Sequence, residues 1–334
     1  MYIWQQLKRL MKKVFLTLTA TFFPLALLAQ SGGSVFKFLE LPFSSHASAL
    51  GGDNISLIED DITLAMHNPA LLSCVTDKTL NLNYMNYIDG VNIGSAAYSR
   101  LSGERGTWGI AAQYVNYGNF QETNSENVDL GTFTAKDMAF TGIYSYDLSD
   151  YWSGGIAGKA IYSTYDKYSS FAVGVDLGLN YFNENSGYSA SFVVRNLGGQ
   201  IKAFDEVHEK LPVDILVGIT KKLTYAPFRF SVTMHDLNDW SSTTTSDTQQ
   251  KDKFSKVLLN HFIFGIDFLP AKTTYVSLGY NCKRASEMKI NNSSGWSGMS
   301  IGAGIQIKRL KIGVSYAKYH IAGSSLLYNF AMTL

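Results

Sequence analysis

The sequence contains little charge, and its positive and negative residues nearly cancel. Asp, Glu, Lys and Arg make up 16% of the 334 residues, whereas an average soluble protein contains about 25%. The formal net charge of +1 leaves no broad basic face for nucleic acid. Cofactor motifs are missing as well, since there is no C-x-x-C or H-E-x-x-H, and Gly302 and Gly304 lack the third glycine of a dinucleotide site. We expect no nucleic-acid partner, no metal and no cofactor.

Long apolar runs are missing beyond the N-terminal region. Met11 lies between two basic pairs and is a more natural start than Met1. The basic pairs precede the apolar run Val14–Leu28, with small residues at Ala26 and Ala29 near its end. This order predicts a signal peptide over residues 1–29. No other stretch approaches the roughly 18 apolar residues of a membrane-spanning helix, so helical spans are excluded.

Cysteine is scarce. The two cysteines, Cys74 and Cys282, lie far apart in the sequence, and nothing in their spacing shows that they approach each other. We expect two unpaired thiols. Neither cysteine lies at the predicted cleavage site, which argues against a lipid anchor.

Short segments that alternate between apolar and small or polar residues fill the rest of the chain. In Phe171–Tyr181, Phe, Val, Leu and Tyr alternate with Ala, Gly, Asp and Asn, and Met299–Ile307 and Leu326–Leu334 repeat the pattern. A period of two places each set on one face of a strand. The second set is mostly small and neutral, whereas the outer face of a soluble sandwich is usually charged. The pattern favours strands with one face in lipid.

We therefore predict an all-β fold, a closed transmembrane antiparallel β-barrel of about 14 strands over residues 79–334. The predicted strands are Thr79–Tyr87, Val91–Leu101, Gly106–Tyr117, Lys136–Asp147, Tyr151–Thr164, Ser169–Phe182, Gly187–Asn196, Val213–Leu223, Pro227–His235, Val257–Leu269, Thr273–Cys282, Ser297–Ile307, Leu310–Tyr319 and Ser324–Leu334.

The predicted connections alternate between short and long, which assigns the two ends of the barrel. The short connections are Ser102–Arg105, Leu148–Asp150, Asn183–Ser186, Thr224–Ala226, Pro270–Lys272 and Lys308–Arg309. The long connections are Gly118–Ala135, Leu197–Pro212, Asp236–Lys256 and Lys283–Trp296. Outer-membrane barrels place short turns in the periplasm and long loops at the cell surface. We expect an outer-membrane protein with both termini on the periplasmic side.

The stretch at residues 30–78 precedes the barrel and contains two conspicuous motifs, ASALGG at Ala47–Gly52 and DDITLAMHNPALL at Asp60–Leu72. The acidic pair can cap a short helix from Ile62, and Asn68 with Pro69 ends it. A lumen of about fourteen strands is too wide for wall side chains alone, so we expect a periplasmic plug. Its candidate residues are Ala47, Gly51, Gly52, Asp60, Asp61, His67, Asn68 and Pro69.

Several charged residues fall at inward-facing positions of the predicted strands. Charge is costly on the lipid face and tolerated inside, which predicts a polar network in the lumen. The candidates are Lys159, Asp176, Arg195, Arg229 and Asp267.

The two motifs, together with VRNLGGQ at Val194–Gln200 and the closing strands, resemble the PorQ-type outer-membrane components of the type IX secretion system. PorQ-type proteins belong to the wider family of FadL-like barrels, which also includes PorV. The resemblance implies a non-enzymatic anchor in outer-membrane lipid for a surface attachment complex. Its implied partners are a PorZ-like surface protein, the PorU sortase and PorV, which together process secreted cargo.

Two alternatives remain open. FadL-like barrels also pass long-chain fatty acids or other hydrophobic molecules, through a plug and a lateral opening at a kinked strand. Gly154, Gly155 and Gly158 could mark such a bend, although lumen packing explains them equally well.

An enzyme needs a nucleophile, a base and an orienting acid within reach. His235 beside Asp236 is better explained as a histidine at the barrel rim, so we expect no enzyme.

Overall fold

A computed structural model describes residues 34–88, 90–123, 129–240, 254–288, 296–320 and 323–334. The predicted signal peptide lies outside these residues, as do the central parts of three predicted long connections. Within them, no helix is long and apolar enough to span a membrane.

Fourteen antiparallel strands form a closed barrel in which every strand pairs with its sequence neighbours and β1 pairs with β14. The strands are β1 Thr79–Asn86, β2 Asn92–Ser102, β3 Gly106–Thr123, β4 Asp129–Asp147, β5 Trp152–Tyr165, β6 Tyr168–Asn183, β7 Tyr188–Lys202, β8 Asp214–Lys222, β9 Phe228–Met234, β10 Phe262–Ala271, β11 Thr274–Asn281, β12 Met299–Ile307, β13 Leu310–His320 and β14 Gly323–Thr333. The predicted fold class is confirmed.

The two faces of each strand carry different residues, as the alternation predicts. On β14, Tyr328 and Phe330 are 48% and 45% exposed, whereas Leu327 and Ala331 are buried. On β12, Ile301 is exposed and Ser300 is buried. Apolar side chains therefore cover the outside of the barrel, where an outer-membrane barrel meets lipid.

Three strands extend well beyond their predicted ends, because a polar sequence still pairs with its neighbouring strand. β3 and β4 continue through most of the predicted loop Gly118–Ala135, pairing with each other from Asn119 opposite Thr134 to Thr123 opposite Asp129. β7 likewise runs six residues past its predicted end at Asn196 and pairs with β6. Backbone pairing does not require apolar side chains when neither face is buried.

Two short helices replace predicted strand or loop. Residues Phe254–Asn260 form a helix, although the prediction began the tenth strand at Val257. A short apolar run does not distinguish strand from helix by periodicity. A second helix, Cys282–Glu287, follows β11 and is capped by Asn281, whose side chain accepts a hydrogen bond from Arg284 N.

Residues 34–77, called the N-terminal segment below, run along the inside of the barrel. Ser34 bridges to Lys210, and Lys210 bridges to Gly199 near the long-connection end of β7. The segment then reaches the opposite end, where Thr79 pairs with Thr333. Ser34 and the C-terminus thus lie at opposite ends. The segment therefore crosses the barrel before β1. The expectation that both termini lie on the periplasmic side stays a prediction, because the first 33 residues lie outside the described part of the chain.

The N-terminal segment is built from short helices. They are the 3₁₀ helix Lys37–Glu40, the α-helix Ser45–Ala49 and the 3₁₀ helices Ile62–Met66 and Pro69–Cys74. Its apolar side chains pack against inward-facing strand residues. At the long-connection end, Phe36 and Phe38 form a cluster with inward-facing strand residues including Ile93, Val115 and Ile161.

Candidate functional site

The predicted caps of the N-terminal segment are present. Asp61 accepts hydrogen bonds from Thr63 N at 2.9 Å and Thr63 Oγ1 at 2.7 Å, which starts the helix Ile62–Met66. Asn68 accepts from Ala70 N at 3.0 Å and donates to Ile55 O at 2.7 Å. Asn68 therefore begins a second 3₁₀ helix, with Pro69 at its first position, directly after the first one ends.

Glycines in the wall let the N-terminal segment approach the strands. A Cβ at Gly155 would lie 2.3 Å from the carbonyl carbon of Pro69, and one at Gly178 would lie 2.1 Å from Asn68 Oδ1. A Cβ at Gly158 would meet nothing within 4 Å. β5 pairs with β4 and β6 without a register shift. β5 therefore has no bulge at its glycines, and close packing against Pro69 explains Gly155.

The ASALGG motif is fixed to the end of β11. Gly51 and Gly52 have φ angles of 108° and 111°, which favour glycine. Asn281 Nδ2 and Arg284 Nη2 both donate to Gly51 O at 3.2 Å. The Arg284 guanidinium also lies 4.1 Å from the centre of the Tyr319 ring. Ala47 lies in a separate buried cluster with leucines of the segment.

A buried ion cluster ties the segment to β9 and β10. His46 contacts Glu59 through Nδ1 at 2.8 Å and Asp267 through Nε2 at 2.9 Å. Arg229 bonds the same two carboxylates, each at 2.7 Å. The His46 ring stacks on Tyr275 with a centroid distance of 3.6 Å. The four charged groups balance one another, as buried ions require.

This environment shifts the titration of the segment's own groups. Burial alone would lower the pKa of His46, but the Glu59 and Asp267 carboxylates outweigh it and raise the pKa to about 9. Burial would raise the pKa of Glu59, but His46 and Arg229 lower it to about 2. His46 is therefore charged at neutral pH, and both of its ring nitrogens are engaged by carboxylates. It is not available as a general base.

A second ion cluster lies where β7 meets β8. Arg195 bonds Asp53 at 2.8 Å and Asp214 at 2.9 Å. His67 contacts Asp53 through Nδ1 at 3.2 Å, and its Nε2 accepts a hydrogen bond from Phe43 N. Burial would raise the pKa of Asp53, but Arg195 and His67 hold it well below its usual range. Asp53 thus attaches the N-terminal segment to Arg195 of β7.

The remaining charged candidates form ion pairs elsewhere in the barrel. Lys159 bonds Asp176 at 2.7 Å, and Asp176 accepts from Asn196 N at 2.8 Å, so this pair fixes the bulge between β6 and β7. Asp60 pairs with Lys311 of β13 at 3.0 Å. Sequence reasoning missed His46, Asp53 and Glu59, which carry no local motif.

The features that suggested an enzyme do not form a catalytic site. His235 contacts Asp236 at 2.9 Å, and Lys283 bonds the same carboxylate at 2.7 Å. Residues 298–302 spell G-x-S-x-G, but Ser300 lies in β12, not in a turn between strand and helix. Its hydroxyl donates to Ala49 O at 2.8 Å. Both cysteines are free, and the described residues include no group of three metal ligands.

The described interior has two cavities at the short-turn end. A cavity of about 620 Å³ is lined by Asp60, Asp61 and Tyr275 and extends to Gly313 and Asn329. A second cavity of about 430 Å³ lies between Ile58 and the turn that contains Glu184.

No family model matches this chain, and no curated protein matches it. Among solved structures, the CymD monoaromatic hydrocarbon channel is similar, with a TM-score of 0.55 and 10% identity over 88% of this chain and 98% of that chain. The Pseudomonas putida toluene transporter TodX has a TM-score of 0.53 and 9% identity over 87% of this chain and 97% of that one.

A FadL homologue from Pseudomonas aeruginosa is also similar, with a TM-score of 0.48 and 10% identity over 86% of this chain and 97% of that chain. The similarities to CymD and TodX show the fold, a closed antiparallel β-barrel. The assignment to the PorQ type stays a prediction.

Proposed function

We propose that this chain is an outer-membrane channel for small hydrophobic molecules, with the N-terminal segment as its plug. One observation carries the proposal. An apolar cluster faces the interior at the long-connection end, where Ile93, Val115 and Ile161 pack with Phe36 and Phe38. A water-filled porin has a polar lumen instead. Of the similar barrels, CymD is a monoaromatic hydrocarbon channel and TodX is a toluene transporter.

The proposal includes an orientation. Short turns face the periplasm and long connections face the cell surface, as is usual for outer-membrane barrels. The apolar cluster then lies on the side from which a hydrophobic solute would arrive. Its binding would depend on displacing the phenylalanines of the plug.

Uptake of radiolabelled toluene by cells that express the chain tests this function. Expression should raise the uptake rate above that of cells with an empty vector, and Ile161→Asn should reduce the gain by placing an amide in the apolar cluster. The matched control is Ser163→Ala, on the same inner face of β5. Amounts of folded barrel are equalised from the heat-dependent gel mobility. Unchanged uptake on expression would contradict the proposal.

A second candidate is the surface anchor of a type IX attachment complex. The observation in its favour is the ribbon formed by β3 and β4 beyond the barrel. There Phe120 stacks on Phe133 at 5.3 Å, and Phe120 and Leu130 are 42% and 57% exposed. An exposed ribbon with unpaired edges is suited to binding another chain.

A photo-crosslinking amino acid at Phe120, used in native outer membranes, tests the anchor. Under this candidate it captures a PorZ-like surface protein, together with PorU and PorV. Replacing Leu130 and Phe133 by serine, which leaves the crosslinker at Phe120 in place, should reduce capture while the barrel still assembles. Capture of no partner, with toluene uptake intact, would leave the channel as the function.

A further inference from the structure

The larger cavity at the short-turn end, called the vestibule below, is lined by charged side chains of both signs. Glu59, Asp60 and Asp61 of the N-terminal segment lie on its inner side, and Lys222 and Lys272 lie at the ends of strands and in a short turn at its rim. Its volume of about 620 Å³ is in the range of roughly 300–1,000 Å³ that is typical of sites for small molecules. The vestibule therefore combines space with charge.

One of the three carboxylates has no cationic partner. Glu59 and Asp60 form the salt bridges described above, whereas Asp61 forms none within the described part of the chain. Its Oδ1 accepts both hydrogen bonds from Thr63, and its Oδ2 accepts none from a described residue. Burial, with Glu59 nearby, raises the pKa of Asp61. Because Asp61 is partly exposed and lines the vestibule, its carboxylate is available to a cationic group.

The rim of the vestibule is basic and apolar. Lys222 and Lys272 are exposed, and neither forms a salt bridge with another described residue. Tyr225 beside them is fully exposed, and Ile305 and Ile312, which also line the vestibule, are 45% and 44% exposed on the outer face of the barrel. Tyrosine is common at the level of lipid headgroups. The rim thus suits an anionic group from which apolar chains continue along the outer face.

We propose that the vestibule binds the headgroup of a zwitterionic phospholipid, phosphatidylethanolamine, from the adjacent leaflet. The ammonium group donates to Asp61 on the inner side, the phosphate lies against Lys222 and Lys272, and the acyl chains follow the outer face past Ile305 and Ile312. Hydrogen bonds between charged groups are about twice as strong as neutral ones. A choline headgroup has no N–H to donate to Asp61, and a glycerol headgroup has no cation. This inference does not depend on the transport of hydrophobic molecules.

Native mass spectrometry of the full chain in detergent micelles with added lipid tests the proposal. Dioleoyl phosphatidylethanolamine should bind more tightly than the phosphatidylcholine and phosphatidylglycerol with the same acyl chains. Asp61→Asn should weaken its binding roughly tenfold, the loss expected for one hydrogen bond to a charged group, and should not weaken phosphatidylglycerol binding. Asparagine is as good an N-cap as aspartate, so the helix Ile62–Met66 is expected to remain.

A pair of rim variants provides the matched comparison. Lys272→Gln should weaken the binding of phosphatidylethanolamine and phosphatidylglycerol alike, because both lipids carry a phosphate. Arg309→Gln is the control, since Arg309 is exposed in the turn between β12 and β13 but does not line the vestibule. Equally tight binding of the two lipids, an equal loss in Arg309→Gln, or unchanged phosphatidylethanolamine binding in Asp61→Asn would overturn the proposal.

Free phosphoethanolamine identifies the source of the ligand, because it has the same ammonium and phosphate groups without acyl chains. It should displace the lipid only at much higher concentrations, since it lacks the contacts with Ile305 and Ile312. Equal affinity for the free compound and the lipid would overturn the lipid as the ligand and would assign the vestibule to a soluble compound with the same charges.

Discussion

Opposite parts of the inner wall contact the N-terminal segment through different chemistry. The ion-paired wall, the inward-facing sides of β7–β10, carries Arg195, Asp214, Arg229 and Asp267, all in salt bridges. The inward-facing sides of β1, β2, β13 and β14, called the neutral wall, carry mainly asparagine, serine and alanine among their buried residues. Buried ion pairs fix one arrangement strongly, because removing one partner leaves a charge unpaired. The segment is therefore held by buried ion pairs on one side, whereas its contacts with β13 on the other side include the Ser48–Tyr319 hydrogen bond and the partly exposed Lys311–Asp60 pair.

Arg229→Met should have the largest effect on this difference. It leaves the Glu59 and Asp267 carboxylates with His46 as their one buried cationic partner, and breaking a buried pair typically costs about 3–5 kcal/mol. We expect faster hydrogen exchange across the segment while the barrel stays closed.

Lys311→Met is the matched control for Arg229→Met on the neutral wall. Both members of the Lys311–Asp60 pair are partly exposed, so the loss should stay below about 1 kcal/mol. Equal rates of hydrogen exchange across the segment in the two variants would contradict the claim that the ion-paired wall holds the segment more strongly than the neutral wall.

The second largest effect should come from raising the pH, which weakens the ion pairs between His46 of the N-terminal segment and its carboxylate partners. The pKa of His46 is raised to about 9, above an unfolded value of about 6.5. Its contribution is therefore complete below about pH 6.5 and is lost as the pH rises through about 9. The shift corresponds to about 3 kcal/mol at most.

Proteolysis of the segment, measured from pH 6 to pH 10, checks this titration. Susceptibility should rise near pH 9 in the parent chain. The His46→Gln variant should show no such step, and a step that persists in it would assign the effect to another group.

Gly155→Ala should have a smaller effect, because it forces the segment away from β5. The new Cβ would lie 2.3 Å from the backbone of Pro69, and overpacking costs about 1–3 kcal/mol. Gly158→Ala on the same strand meets nothing within 4 Å and serves as the control. The thermal midpoint of the barrel in detergent compares them, and equal midpoints would show that Pro69 does not lie against Gly155.

The sequence was sufficient to predict which strand residues face the inside of the barrel, but not which residues of the N-terminal segment they contact. Strict alternation placed Arg229 and Asp267 inside, because one face of each strand must meet lipid. Their partner His46 lies 221 residues from Asp267, and no local pattern encodes a contact that depends on the path of the segment. The same limit explains the position of Ser34, since counting strands cannot reveal that the chain crosses the barrel first. Asp61 and Asn68 were predictable because capping is local.

The account rests on the N-terminal segment lying inside the closed barrel, and a disulfide tests this most directly. Ser56 Oγ lies 2.8 Å from Thr220 Oγ1 on the inner face of β8, whereas the neighbouring Ile219 is 43% exposed on the outer face. In a chain with Cys74 and Cys282 replaced by serine, Ser56→Cys with Thr220→Cys should crosslink rapidly on mild oxidation, and Ser56→Cys with Ile219→Cys should not. Equal crosslinking of both pairs, or none in the first, would contradict the account.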